Sequence, residues 1–118
     1  MPLNLDNKSS ATITVKLVHH GNGNWQSQYQ LEGDSQWHTD PIEWKPKADN
    51  PTLQLTFNLG QNVKKLLDAT GFTLNPKAKG ATQQTATVNR PSQQTNDSFK
   101  VKGTDGHVHD PQIVITPQ

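Results

Sequence analysis

Hydrophobic and polar residues alternate along much of this chain, in short separate blocks. "ATITVKLV" puts Ala11, Ile13, Val15 and Leu17 on one side and Thr12, Thr14 and Lys16 on the other. A period of two with β-branched side chains predicts a half-buried strand. "WQSQYQLEG" repeats the pattern, with Trp25, Tyr29 and Leu31 inward and glutamines outward. The run between them, "HHGNGN", carries the Gly and Asn that a hairpin turn needs for positive φ. "TLQLTFNL" is the clearest block, with Leu53, Leu55, Phe57 and Leu59 set against Gln54, Thr56 and Asn58. "PIEWKP" predicts a short strand with Ile42 and Trp44 on one side, and its flanking prolines predict a sheet edge. "FTLNP" and "TATVN" predict two weaker strands, with "KAKGATQQ" as the loop between them. "SFKVK" and "HVHDPQIVIT" predict a closing hairpin about "GTDG", with Phe99 and Val101 inward.

One segment changes rhythm. "GQNVKKLLDATGF" places Val63, Leu66 and Leu67 at helical spacing. It predicts a short helix near 62–70, with Asn62 as N-cap, Gly71 as the left-handed residue ending it and Phe72 packing back. Residues 1–10 read as a flexible N-terminal tail and residues 11–118 as a single domain. About eight short strands separated by turn signals predict an all-β fold. The expectation is an antiparallel β-sandwich with an immunoglobulin-like or cupredoxin-like Greek key.

Composition narrows the picture. With 118 residues the chain is one domain long, and at 30% hydrophobic its core must be lean. Net charge is +1, and the lysines are scattered, so no basic stripe offers itself to nucleic acid. No apolar run approaches the ~18 residues of a membrane span. The opening residues lack the basic and apolar regions of a secretory signal, so the expected location is cytoplasmic, with unconventional export left open. Cysteine is absent, which excludes disulfides, thiolate nucleophiles and thiolate metal sites.

The order of Tyr29–Leu31, Thr56–Leu59, Gly71–Leu74 and Asp110–Ile115, with a second Asp-Pro step at Asp40–Pro41, resembles the small bacterial proteins of the DP-EP family. The resemblance runs through most of the chain from about residue 25 onward. It implies a compact β-rich domain without an assigned activity, and it brings no catalytic or ligand residue.

Candidate chemistry is sparse. His107 and His109 fall on one side of a strand about 7 Å apart, close enough to reach one copper or zinc ion. Candidates for the remaining ligands are His19 and His20 in the turn after the first strand, Asp105 and Asp110 beside the pair, and His38 in a loop. The plainer reading is an exposed polar strand. Both histidines share phase with Ile113 and Ile115, so either they enter the core or Asp110–Pro111 breaks the register. A proline bulge favours the second, with Val108 packing inward.

Trp37, in the polar loop "GDSQWHTDP", is the best candidate for stacking on a sugar ring. Trp44, Asp34, His38 and Asp40 complete a candidate ligand-binding set, although Trp25 and Trp44 read more simply as core. Glu32, Asp34, Asp40 and Glu43 could pair as glycosidase carboxylates, but loop carboxylates are ordinarily solvated or cap turns. No nucleophile elbow or phosphate-binding glycine loop is present. The expected function is therefore a non-catalytic binding or interaction module, with a protein or glycan partner or a second copy of itself. Carbohydrate binding and metal binding are the alternatives.

Overall fold

The computed structural model describes residues 2–21, 23–47, 49 and 51–117; Met1 of the N-terminal stretch and Asn22 of the first turn lie outside them. In chain order the strands are β1 (Pro2–Asn4), β2 (Ser10–His19), β3 (Trp25–Leu31), β4 (Thr39–Trp44), β5 (Thr52–Leu59) and β6 (Val63–Thr70). They continue as β7 (Thr73–Leu74), β8 (Gln83–Asn89), β9 (Thr95–Gly103), β10 (Val108–His109) and β11 (Gln112–Ile115). The described residues contain no helix, hence none long and apolar enough to cross a membrane.

Two mixed sheets result. One runs β3-β2-β5-β8-β7; the other runs β1-β4-β11-β9, with β10 and β6 also on β9. Most pairings are antiparallel, but β2 with β5, β1 with β4 and β4 with β11 are parallel. A purely antiparallel architecture is thereby corrected. The parallel pair β2 and β5 arises because the chain leaves the first sheet after β3, adds β4 to the second, and returns.

The alternation read from sequence does the packing. Ile13, Val15 and Leu17 of β2 and Leu53, Leu55 and Phe57 of β5 are all buried. They meet Ile42, Trp44, Phe99, Val101, Ile113 and Ile115 of the other sheet in one hydrophobic core. Phe57 and Phe99 face each other from opposite sheets at 5.6 Å between ring centroids, and Phe72 stands edge-on to Phe99 at 6.0 Å. Such tilted aromatic pairs add to the burial of their area.

The expected helix over 62–70 is a strand, and the register explains why its apolar spacing looks helical. Val63 pairs with Gly103, Lys65 with Lys102 and Leu66 with Val101. Lys64 is thus an extra residue, a bulge that shifts the inward phase so that Val63 and Leu66, three apart, both face the core. Asp68, at φ 53°, lies within a second irregularity of the ladder. Asn62 caps no helix; its side-chain amide donates to Leu17 O at 3.0 Å. Gly71 is left-handed as expected, at φ 93°, but ends a strand, and a Cβ there would collide with the Asp97 carboxylate.

The N-terminal stretch is not a tail. Leu3 and Leu5 are fully buried, β1 lies along β4, and the Trp44 indole N–H donates to Lys8 O at 3.0 Å. Nor is β4 an edge: it sits between β1 and β11. Pro2 pairs with Thr39 and Leu3 with Ile42, so Asp40 and Pro41 are skipped by the ladder. The missing proline donor therefore costs no ladder bond.

Candidate functional site

The predicted site residues separate into three groups. Trp44 is wholly buried and cannot stack on a ligand; it belongs to the core. Asp40 turns toward Tyr29, whose hydroxyl donates to its carboxylate. Burial, then the Asp40 charge, pushes the Tyr29 hydroxyl well above its ordinary pKa. Burial also raises Asp40, opposed by the Tyr29 hydrogen bond and by the nearby His109. This arrangement ties β4 to β3, while Asp40 itself stays exposed at the surface.

Trp37, Asp34 and His38 act together. His38 forms a two-bond antiparallel bridge with Tyr29, at 2.7 and 2.8 Å, so residues 37–39 run along the edge of β3. Asp34 ties the preceding turn, accepting from Gln36 N–H at 3.0 Å and lying 3.2 Å from His38 Nε2. These bonds, the Gln36 amide first, hold the Asp34 carboxyl below its usual range. Trp37 remains 36% exposed. The Lys16 ammonium sits 3.8 Å from the centroid of its ring, a cation–π contact of roughly 0.5–1 kcal/mol at such a surface.

Lys16 is one of the outward residues of β2, and Trp37 thereby borders the outer face of the β3-β2-β5-β8-β7 sheet. Beside Lys16, the outward positions there are Ser10, Thr12, Thr14 and the apolar Val18 on β2, Gln26, Gln28 and Gln30 on β3, Thr52, Gln54, Thr56 and Asn58 on β5, and Gln83, Thr85, Thr87 and Asn89 on β8. Register aligns them in rows across the sheet: Gln30, Thr14, Asn58 and Gln83 in one, Thr12, Thr56 and Thr85 in the next. Hydrogen bonds link them sideways, Gln83 Nε2 to Asn58 Oδ1 at 2.7 Å, Asn58 Nδ2 to Thr14 Oγ1 at 3.3 Å and Thr87 Oγ1 to Gln54 Oε1 at 2.9 Å. A depression of about 490 Å³ lies elsewhere, between β6 and β7, while one of about 300 Å³ opens at the end of this face among Lys8, Ser10, Thr12, Glu32, Gln54 and Thr56. Cross-linked amides and hydroxyls lose little freedom on binding, which favours a polar ligand.

The histidines do not converge. The His19 ring lies 4.7 Å from Trp25, His20 Nε2 is 3.0 Å from Gln26 Oε1, and His107 Nδ1 is 2.8 Å from Asp105. Among the described residues no three metal-ligating side chains stand together. The preferred register break at Asp110–Pro111 is also corrected. Val108 pairs with Lys102 and His109 with Val101, and Gln112 with Ser98 and Ile113 with Asp97, which is one continuous register. His109 therefore stays in phase with Ile113 and turns inward, its Nε2 buried without a partner, while Val108 is 46% exposed. Pro111 interrupts the bonding but inserts no residue.

No family model matches the chain, and no curated protein sequence matches it.

Proposed function

We propose that this protein is a non-catalytic β-sandwich module that binds a neutral, hydroxyl-rich polymer, a glycan, on the outer face of its β3-β2-β5-β8-β7 sheet. One observation carries the reading: across the four long strands of that face Lys16 is the sole charged outward residue, against rows of Thr, Gln and Asn. Solvated sheet faces ordinarily mix charges of both signs. A field of amides and hydroxyls instead matches a ligand that is itself all donors and acceptors, and Trp37 at the border offers an apolar plane to a pyranose face.

The reading of the two sheets as an immunoglobulin-like or cupredoxin-like Greek key goes with this proposal, supported by the repeated passage of the chain between layers. Kinship with the DP-EP family is likewise inferred. Supporting it, Asp40–Pro41 and Asp110–Pro111 stand just ahead of Ile42 and Ile113, which are partners in adjacent strands.

Affinity electrophoresis against a panel of soluble neutral polysaccharides tests the function. Retardation by at least one of them is expected, with loss in Trp37→Ala and in Thr56→Lys, neither of which touches the core. A panel without retardation, or retardation that survives both substitutions, overturns it.

A further inference from the structure

The opposite margin of the molecule carries a different feature. β6 and β7 are terminal strands of their respective sheets, and among the described residues each pairs with one neighbour, β9 and β8. The gap between them is a cavity of about 490 Å³, within the ~300–1,000 Å³ of small-molecule sites. Leu67, Ala69, Phe72 and Leu74 line it, all half-buried. Lys65 and Lys77 stand at it too, also half-buried. The one acidic lining residue, Asp68, lies 3.9 Å from Lys100, so the lining is mixed, an apolar strip flanked by polar groups with a positive surplus.

Two observations argue against a strand docking on this edge. The Leu66 N–H already donates to Gln84 Oε1 at 2.6 Å, and Leu66 O accepts from Gln84 Nε2 at 3.0 Å. The ladder irregularity around Asp68 also distorts the edge, a device that discourages strand addition. A ligand needing no backbone ladder fits better. We propose that this groove binds a free amphiphile with a medium-length apolar chain and a carboxylate head, the chain against Leu67, Phe72 and Leu74 and the head between Lys65 and Lys77.

Decanoate, kept monomeric, is the probe, titrated into the isotopically labelled full chain. Saturable amide shifts confined to residues 65–77 are expected. The double variant Lys65→Gln/Lys77→Gln, altered at side chains outside the core, should bind roughly tenfold more weakly, the sum of two partly screened ion pairs. Decanol should bind wild type as weakly as decanoate binds the double variant. Absence of saturation, shifts spread beyond the groove, equal binding of decanol, or binding to anionic lipid vesicles without binding of monomer would each overturn the proposal. None of these outcomes involves Trp37, so the glycan reading stands or falls separately.

Discussion

Gln84 is an amide pointing into the space between two sheets, where an apolar side chain would be the ordinary choice. It is buried, and it works as a piece of backbone: besides Leu66 N–H and C=O it donates to Asn75 O at 3.0 Å. It thus joins β8 of one sheet to the exposed flank of β6 in the other. Replacing it with leucine keeps the volume but strands a donor and two acceptors. Gln84→Leu should lose about 2–4 kcal/mol of stability, read from the urea midpoint at unchanged slope. A loss under about 1 kcal/mol would mean that water replaces the amide, and the bridging role would fall. This residue was not legible beforehand. "KAKGATQQ" reads as loop because glutamine has no preference that distinguishes a solvent-facing position from a buried one paired with backbone. Trp37 was legible, since a large aromatic among Asp, Ser, Gln and His has no apolar neighbours in sequence to pack on.

At the level of single elements, β6 shows how a bulge counterfeits a helix. Apolar residues at three-residue spacing follow equally from a helical turn or from a strand with one extra residue. The two readings differ under deletion. Removing Lys64 from a bulged strand leaves Val63 opposite Gly103 and Leu66 opposite Val101, so the variant should fold with a loss within about 1 kcal/mol. Removing Thr56 from the regular strand β5 would turn every residue on one side of the gap to the wrong face, and that variant should not fold. Circular dichroism and denaturant melts of the two deletions decide it; similar damage from both would refute the bulge as the cause. The unbroken strands β2, β3 and β5 were legible, as was β9 over 98–102, because strict alternation over several residues has a single structural interpretation; the opening of β9 at 95–97 reads as loop from sequence. β1 was not, since two leucines in a polar stretch show no period until Trp44 and β4 are there to receive them.

For the whole molecule, the placement of carboxylates sets how stability depends on pH. Burial raises Asp97 and Asp40 above the usual range. Hydrogen bonds, the backbone N–H first, hold Asp34 and Asp105 below it. A raised carboxyl favours the folded state when protonated, so that contribution is present below about pH 4 and is lost as pH rises through the folded value. A lowered carboxyl contributes above about pH 4 and is lost as pH falls through its own folded value. Melting temperature should therefore peak in mild acid. Asp97→Asn should melt higher than wild type at pH 7 and no higher near pH 3, as scanning calorimetry would show. An Asp97→Asn difference independent of pH would contradict burial as the origin. The sequence by itself determined that the chain is strand-forming over most of its length and which residues of the regularly alternating strands β2, β3 and β5 face inward, because side-chain alternation is a local consequence of the pleat. Only the tertiary structure decided which strands are neighbours, that Leu3 and Leu5 belong inside, that His109 turns inward and Val108 outward, and that Thr, Gln and Asn from four separate segments align on one face. Those outcomes depend on pairing between residues far apart in the chain, and local periodicity holds no information about partners.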